Sequence, residues 1–204
     1  MAAAQPVFQT AIVNGRPAVL FDGASTYLAV SAFPLLATAS SAVTTFIVAE
    51  VRNFATQRFL VTEQFTPCVN NYEIGYHTGN QTGANFGLHS GCSNAVVTPD
   101  TMSPNWAAWG VRLDSSGASP SNVDLFVNGV PQARANNAGG YAAPGTYGSA
   151  ANRLIIGARD NIAFGVIDGV HNGHIGEVVI YSRALTDAEV AQVSEYFRAK
   201  YATP

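Results

Sequence analysis

The stretch Gly173-His-Ile-Gly-Glu-Val-Val-Ile-Tyr-Ser-Arg-Ala-Leu-Thr-Asp-Ala-Glu-Val190 decides the fold that we expect for this chain. Residues 174–181 are rich in β-branched and aromatic types, which favour a strand. Side chains alternate along a strand, so this segment has two faces. One face carries Val178 and Ile180, and the other carries Ile175, Val179 and Tyr181. Because both faces are apolar, the sequence predicts a central strand that is covered on each side.

The residues that follow this strand predict a helix. Thr186 and Glu189 have the spacing of a capping box, in which the Thr hydroxyl accepts a backbone N–H and the Glu carboxylate reaches back to the Thr N–H. Apolar residues then recur at helical spacing and form one stripe. They are Val190, Val193, Phe197 and Tyr201. The sequence therefore predicts one short C-terminal α-helix that packs onto a sheet.

The rest of the chain consists of short apolar runs separated by turn residues. Asn14-Gly15 and Asn128-Gly129 are strong hairpin signals, and the run 43–51 is typical of a buried strand. Short strands at regular spacing favour an antiparallel sandwich or barrel. The phenylalanines expected in the core are Phe8, Phe21, Phe46, Phe59 and Phe126. No composition break marks a second domain, so we expect residues 1–204 to form a single all-β domain.

Composition excludes several function classes. The chain has 204 residues, of which 48% are hydrophobic and 11% are charged, with a formal net charge of −3. No basic cluster is present, and phosphate neutralisation needs one, so we expect no nucleic-acid partner. No apolar run is long enough for a membrane span. Residues 1–6 lack the features of a signal peptide, so either a leader was removed or the protein reaches its destination without one.

The two cysteines, Cys68 and Cys92, each lie in an Asn- and Gly-rich segment that is typical of a loop. We expect a disulfide between them. Closing a loop of this length would stabilise the fold by roughly 3 kcal/mol. The alternative is two free thiols in a reducing compartment.

Three segments of the chain carry a family pattern. They are Asn14-Gly-Arg-Pro-Ala-Val-Leu-Phe-Asp-Gly23 with Tyr27 and Leu28, then Trp106–Asp114 leading to Asp124–Gly129, and finally Leu154–Arg159 followed by 173–189. Together they resemble the laminin-G-like members of the concanavalin A-like lectin/glucanase superfamily. The resemblance implies a two-sheet antiparallel jelly roll with one concave face. It also implies a range of functions: glycan binding, adhesion, scaffolding on cell or virus surfaces and, in some members, glycan cleavage.

The carboxylates do not follow the pattern of the superfamily's hydrolases. Its retaining β-glucanases carry Glu-x-Asp-x-x-Glu, since two carboxyl groups about 5–5.5 Å apart must flank the bond. That motif is missing here, where the strand acids stand alone: Glu50, Glu63, Glu73 and Glu177. The lyases of the superfamily use Arg, His and Tyr, and the segment 72–77 resembles part of such a motif. An ordinary half-exposed strand explains the same residues, so we expect no enzyme activity.

Aromatic residues in the polar, Gly-rich stretches are the candidates for ligand binding. Sugar rings stack on aromatic side chains, and Tyr tolerates exposure better than Phe. The candidates are Tyr72, Tyr76, His77, Tyr141 and Tyr147. The alternative is that these rings pack over sheet edges. Trp106 and Trp109 lie in the family's strand motif, so we expect them to be structural.

Metal binding is a second hypothesis. Superfamily members hold Ca²⁺ at a rim through Asp, Asn and backbone oxygens, so the resemblance implies Asp160, Asn161, Asp168 and Asn172 as candidate ligands. His171 and His174, with Asp168 nearby in sequence, form a candidate transition-metal site. The alternative, which we favour, is a polar loop whose histidines form local hydrogen bonds. Apart from Ca²⁺ we expect no cofactor.

These observations favour a non-catalytic module that binds at a surface, with a glycan or surface polysaccharide as its ligand. One alternative is a decoration or tail-associated subunit of a virus particle, with capsid or tail proteins and further copies of itself as partners. Another is a glycan-cleaving hydrolase or lyase. The expected location is extracellular or on a virion surface.

Overall fold

The computed structural model describes residues 5–31, 33, 42–63, 71–76, 85–90, 95–99, 103–114, 122–136, 153–161 and 165–204. The strands are β1 (Val7–Val13), β2 (Arg16–Asp22), β3 (Leu28–Ser31), β4 (Val43–Val51), β5 (Arg58–Glu63), β6 (Tyr72–Tyr76), β7 (Phe86–His89), β8 (Ala95–Val97), β9 (Ala107–Leu113), β10 (Val123–Val127), β11 (Val130–Pro131), β12 (Ala135–Asn136), β13 (Arg153–Ile156), β14 (Arg159–Asn161), β15 (Val166–Asp168) and β16 (Asn172–Tyr181). The helix α1 runs over Asp187–Tyr201.

Two large antiparallel sheets make up the fold. The first sheet has the order β1-β2-β16-β4-β9-β10-β11, and the second has the order β12-β8-β7-β6-β5-β13-β3. Strands β14 and β15 form a separate hairpin. The prediction of an all-β jelly-roll sandwich with one short C-terminal helix is confirmed. Strand β16 lies third in the first sheet, between β2 and β4, so the strand that the sequence marks as central is central.

The main core lies between the two sheets because alternate residues of facing strands point inward. Strand β4 contributes Ile47 and Val51 to it, and β6 contributes Ile74. Trp109 is fully buried in the same core, which confirms its structural role.

Helix α1 covers the outer face of the first sheet. Phe197 and Tyr201 pack against Phe46 and Val48, which are the β4 residues that point away from the main core. Trp106 also packs here and is partly buried, which confirms its structural role. The predicted apolar stripe is therefore the buried face of the helix.

The capping box at the start of α1 is confirmed. The backbone N–H of Glu189 donates to Thr186 Oγ1 over 3.3 Å, and the N–H of Thr186 donates to Glu189 Oε2 over 2.9 Å. Arg183 holds the Glu189 carboxylate with two further hydrogen bonds.

Replacing Thr186 with Ala is expected to destabilise the fold by about 1 kcal/mol, because the substitution removes the acceptor for the first turn of α1. The measurement is the free energy of unfolding in urea. The matched control is Thr186→Ser, which keeps the hydroxyl and should lose little. Equal losses in the two variants would contradict a capping role.

Both Asn-Gly hairpin turns form as expected. Asn14 and Gly15 have φ angles of 46° and 70°, and Asn128 and Gly129 have φ angles of 51° and 80°. Two successive positive φ angles define the tight turn that matches strand twist, and Asn-Gly is the sequence that adopts it most readily.

The predicted face of Ile175 is wrong. Ile175 packs in the main core beside Val178 and Ile180, whereas Val179 and Tyr181 face α1. The reason is a β-bulge: Ile175 pairs with Ala49 and Glu177 pairs with Val48, so Gly176 is an extra residue. The Tyr201 hydroxyl donates to the Gly176 carbonyl over 3.3 Å.

The core position predicted for Phe8 is also wrong. Its side chain is 66% exposed, whereas the other four phenylalanines of the set are buried. Phe8 lies on β1, which among the described strands is an edge strand with β2 as its one neighbour. An edge strand has a neighbour on one side alone, so apolar character in the sequence does not ensure burial there.

Candidate functional site

A polar cluster lies on the outer face of the second sheet. Along β6 the inward residues belong to the main core, so Glu73 and Gly75 point outward. His89 pairs with Glu73 and shares this face. The β14–β15 hairpin adds further polar side chains. We call the whole set the Arg159 cluster; its members are Gln57, Glu73, His89, Arg159, Asn161 and Asp168.

Arg159 is fixed from two sides. Its Nε and Nη2 atoms donate to the Asp168 carboxylate over 2.8 and 2.9 Å. Its Cζ atom lies 4.7 Å from the ring centroid of Phe59. Burial lowers the pKa of Arg159, but the hydrogen bonds to Asp168 and the charge of Glu73 outweigh it and raise that pKa above its usual value. The guanidinium therefore stays charged and holds one orientation.

Glu73 supports Arg159 from the sheet. Its Oε2 lies 3.9 Å from Arg159 Nη1, and its side chain is only 2% exposed. This distance is too long for an ordinary hydrogen bond, so the interaction is an ion pair. Among the described residues Nη1 therefore keeps N–H groups that can donate to a ligand.

His89 contributes a neutral imidazole. Burial, and then the charge of Arg159, lower the pKa of His89 to about 4. Its Nδ1 lies 3.3 Å from Gln57 Nε2, and its ring meets Phe59 edge-on. In the described part of the chain His89 Nε2 has no hydrogen-bond partner, which is uncommon for a buried polar atom.

The cluster meets solvent along one side. The Asp168 and Arg159 side chains are 34% and 18% exposed, and Gln57 is half-buried. Asn161 Nδ2 donates to Asp168 Oδ2 over 2.6 Å and so holds that carboxylate in place. This arrangement offers fixed donors and acceptors with little freedom to move, which suits the binding of a ligand with several hydroxyl groups.

Glycines help to shape the same face. Gly75 pairs directly with Gly87. A Cβ atom at Gly75 would lie 2.5 Å from the Arg58 carbonyl oxygen, and one at Gly87 would lie 2.2 Å from that of Val96. Neither position accepts a side chain, so the backbones approach closely beside His89.

Two predicted ligand-binding residues lie inside the protein. Tyr72 and Tyr76 are fully buried in the main core. The Tyr72 hydroxyl donates to Thr45 Oγ1 over 3.0 Å, and the Tyr76 hydroxyl lies 2.9 Å from His171 Nδ1. No sugar can stack on either ring in this arrangement. The other candidates, His77, Tyr141 and Tyr147, lie outside the described residues, as do Cys68 and Cys92 with their predicted disulfide.

The four candidate Ca²⁺ ligands do not form one site, although Asn161 contacts Asp168. Asp168 is bound to Arg159, and Asp160 is bound to Arg153. The two aspartates differ by one strand position in the β14–β15 ladder, so they point to opposite faces. Asn172 lies on β16, opposite Asp22. Within the described ranges no group of three or more His, Cys, Asp or Glu side chains is arranged to hold a metal ion.

The two histidines of the predicted transition-metal site point to different partners. His171 is buried against Tyr76, and burial with the charge of Arg58 lowers its pKa to about 3. His174 Nδ1 lies 2.6 Å from Glu50 Oε2, and its Nε2 lies 2.8 Å from Gln9 Oε1. Local hydrogen bonding therefore accounts for both rings.

Cavities open on another side of the molecule. One groove of about 400 Å³ lies between β16 and α1 and is lined mainly by apolar residues such as Val179 and Val193. A second pocket of about 240 Å³ opens between the two sheets beside Leu28 and Ile156. The walls of these two cavities carry few polar groups, whereas hydroxyl-rich ligands need several. A more polar pocket of about 560 Å³ lies near the end of α1 and is lined by Val127, Asn128, Val130, Gln132, Arg198 and Pro204. Its cation Arg198 is 62% exposed and pairs with an equally exposed Glu195, so it is not held in place as Arg159 is, and the Arg159 cluster is the better candidate site.

The sequence marks Asp168 as a candidate metal ligand but does not predict the Arg159 cluster, because the members of the cluster come from separate parts of the chain. Glu73 and Asp168 are far apart in sequence, yet both contact Arg159. The available signal was the alternation of residues 72–76, which places Glu73 outward once the two tyrosines are assigned to the core.

The family of the chain follows from the fold together with a sequence match. A laminin G family model, described as the concanavalin A-like lectin/glucanases superfamily, matches residues 22–191. The chain therefore belongs to this superfamily. A comparison with curated proteins found no match.

Solved structures share the fold. Domain 4 of AbnA, an extracellular arabinanase of family GH43 from Geobacillus stearothermophilus in complex with arabinotriose, is 17% identical with a TM-score of 0.64; the match covers 94% of this chain and 82% of that one. A heptameric SAP-like pentraxin from Limulus polyphemus is 17% identical with a TM-score of 0.58, covering 86% and 80%. The CBM40 of the Ruminococcus gnavus IT-sialidase, bound to α2,3-sialyllactose, is 12% identical with a TM-score of 0.56, covering 82% and 98%.

The described part of the chain contains no helix with the length and apolar character needed to span a bilayer.

Proposed function

We propose that this protein is a non-catalytic glycan-binding module whose ligand contacts the Arg159 cluster. The observation that carries the proposal is the fixed, partly exposed guanidinium of Arg159, which Asp168, Phe59 and Glu73 hold in place. A rigid donor beside carboxylate and amide groups matches the alternating donors and acceptors of a sugar.

The structural neighbours support a glycan as the ligand class. The domain of AbnA is in complex with arabinotriose, and the CBM40 is bound to sialyllactose. Both share the fold of this chain at low sequence identity, so their particular ligands are not transferred. What supports the proposal is that this architecture carries saccharides in more than one neighbour.

The acids of the cluster favour binding over catalysis. Glycoside hydrolysis uses two carboxyl groups that flank the scissile bond. Here Glu73 and Asp168 are both engaged in ion pairs with Arg159. We therefore propose that the cluster holds its ligand and leaves it intact. Release of reducing sugar from a bound polysaccharide would contradict this.

We propose an extracellular location, since the AbnA domain that shares this fold belongs to an extracellular arabinanase. A role as a virion subunit, with capsid or tail partners, stays a prediction that copurification with particles would test. Adhesion likewise stays a prediction.

Replacing Gln57 with Ala is expected to weaken glycan binding about tenfold, because the substitution removes a polar group at the exposed side of the cluster and releases His89. The measurement is a screen on a glycan array, followed by titration calorimetry with the best ligand. The matched control is Gln192→Ala, which makes the same change on α1, at the opposite side of the sandwich.

Two results would contradict the proposed site. One is wild-type affinity in the Gln57→Ala variant, and the other is equal loss in both Gln→Ala variants. The melting temperature of each variant should be checked, so that a loss of binding is not confused with a loss of fold.

A further inference from the structure

The charge balance of the Arg159 cluster bears on the kind of glycan that it accepts. Acidic sugars are held in proteins mainly by Arg or Lys, which pair with their carboxylates. An acidic ligand would therefore need an Arg or Lys side chain near the site that is not already paired with an acidic residue.

Every cationic side chain of the protein lies within the described residues. The ten are Arg16, Arg52, Arg58, Arg112, Arg134, Arg153, Arg159, Arg183, Arg198 and Lys200. The segments outside the described ranges contain no Lys or Arg.

Eight of the ten cations form ion pairs with an acidic side chain. The other two are Arg58 and Arg16. Arg58 donates to the backbone carbonyls of Gly23 and Val170. Arg16 begins β2, directly after the Asn14-Gly15 turn, and Asn14 contacts the carbonyl of Lys200 at the end of α1. Arg16 therefore lies on the first sheet, away from the outer face of the second.

On the face that carries the cluster, acids outnumber bases. Arg159 contacts two carboxylates, Asp168 and Glu73, and His89 is neutral because burial disfavours its charged form. Arg153, which also starts on the second sheet, is paired with Asp160. The cluster thus carries a net negative charge, within a chain whose formal net charge is −3.

We infer that the ligand of this site is a neutral glycan and that acidic sugars are disfavoured. This inference rests on the proposed function. A sugar carboxylate could accept from Arg159 Nη1, but it would then lie beside the carboxylates of Asp168 and Glu73, which already pair with the same guanidinium and would repel it. The hydroxyl groups of a neutral sugar avoid this repulsion: they accept from Arg159 Nη1 and donate to the exposed Asp168 oxygens.

The test compares neutral glycans with acidic counterparts. Lactose and α2,3-sialyllactose differ by one acidic sugar, whereas galactan and galacturonan oligosaccharides of equal length differ by a carboxyl group on every unit; arabinotriose is a third neutral probe. Each is titrated into the full chain. We expect at least one neutral probe to bind, and its acidic counterpart to bind at least threefold more weakly. Raising NaCl from about 20 to about 300 mM should narrow that gap, since salt screens repulsion.

The possible outcomes distinguish the preference for neutral sugars from the proposed glycan-binding function. An acidic probe that binds more tightly than its neutral counterpart, and loses that advantage in Arg159→Met, would overturn the neutral-ligand inference while leaving glycan binding intact. Absence of binding by every neutral and acidic glycan on a broad array would overturn the proposed function and this inference with it. Binding of neutral probes that is insensitive to salt would support both.

Discussion

Lowering the pH from about 7.5 to about 5.5 is expected to reduce the free energy of unfolding by roughly 3 kcal/mol, because two histidines are buried in the neutral form. His171 is fully buried against Tyr76, and His89 is buried in the Arg159 cluster. Their pKa values are about 3 and about 4 in the folded protein. An unfolded histidine has a pKa of about 6.5.

The direction of this effect follows from proton uptake. Between pH 6.5 and the pKa values of the two histidines in the folded protein, the unfolded chain binds a proton at each histidine and the folded chain does not. Acid therefore favours unfolding. The contribution of the neutral histidines is therefore complete above about pH 6.5 and declines as the pH falls toward about 4.

Carboxylates act in a different pH range. Glu189 has a pKa lowered to about 2, mainly by its hydrogen bond from Arg183 and then by those from Thr186. Burial raises the pKa of Asp22, but hydrogen bonds from the backbone N–H groups of Ser25, Ala24 and Thr26 hold it well below its usual range. These acids stabilise the fold above an unfolded pKa of about 4 and lose that contribution only at lower pH.

The measurement is urea unfolding at several pH values over this range. In the His89→Gln variant, which cannot take up the proton, the loss on acidification should fall by about half, since one of two titrating groups has been removed. A midpoint that stays constant over this range in the wild type would contradict the neutral burial of both rings. An undiminished pH dependence in His89→Gln would contradict the part assigned to His89.

The architecture was accessible from the sequence because its main signals are local. The capping box at Thr186, the two Asn-Gly turns and the apolar run 43–51 each fix a short element without reference to the rest of the chain, and all of them appear in the structure. The strand bounds of β4 are the predicted ones.

The predicted face of Ile175 is wrong because a single residue can reverse the alternation of side chains along a strand. Gly176 is the extra residue of a β-bulge in β16. The bulge reverses the alternation of side chains, so Ile175 lies on the same face as Val178 and packs in the main core. A glycine inside a strand was the available signal for such a bulge. The prediction that Phe8 is buried is wrong for another reason. On an edge strand such as β1, the position of the strand in the sheet, and not the local sequence pattern, decides how exposed a side chain is.

The site was less accessible than the fold because it is assembled by tertiary pairing. Residue type and polar surroundings favour Tyr72 and Tyr76 as ligand-binding residues, but the alternation of β6 places both of them in the core and places Glu73 on the outer face. Only the register of β5, β6 and β7, together with the β14–β15 hairpin, brings Glu73, His89 and Arg159 to one place. The spacing of Glu73, His89 and Arg159 in the sequence does not predict that they lie close together.

Replacing Arg159 with Met is expected to destabilise the fold by about 3 kcal/mol, because it removes the counter-ion of a carboxylate that remains buried. Glu73, whose side chain is 2% exposed, would lose its ion pair with Arg159. Asp168 is 34% exposed, so water can replace part of what it loses. Methionine keeps the length and much of the packing of the arginine stem over Phe59.

A matched substitution and a double variant separate charge from packing. Arg153→Met removes an arginine of β13, in the second sheet, whose side chain is 43% exposed beside Asp160, and it should cost less than about 1 kcal/mol. Adding Glu73→Gln to Arg159→Met removes the buried charge, so the double variant should regain much of the stability that the single variant loses. One contrary result is a double variant whose loss of stability equals the sum of the losses in Arg159→Met and Glu73→Gln. Another is an Arg153→Met variant that is destabilised as much as Arg159→Met. Either result would mean that packing of the arginine stem, and not its ion pair with Glu73, stabilises this face of the sheet.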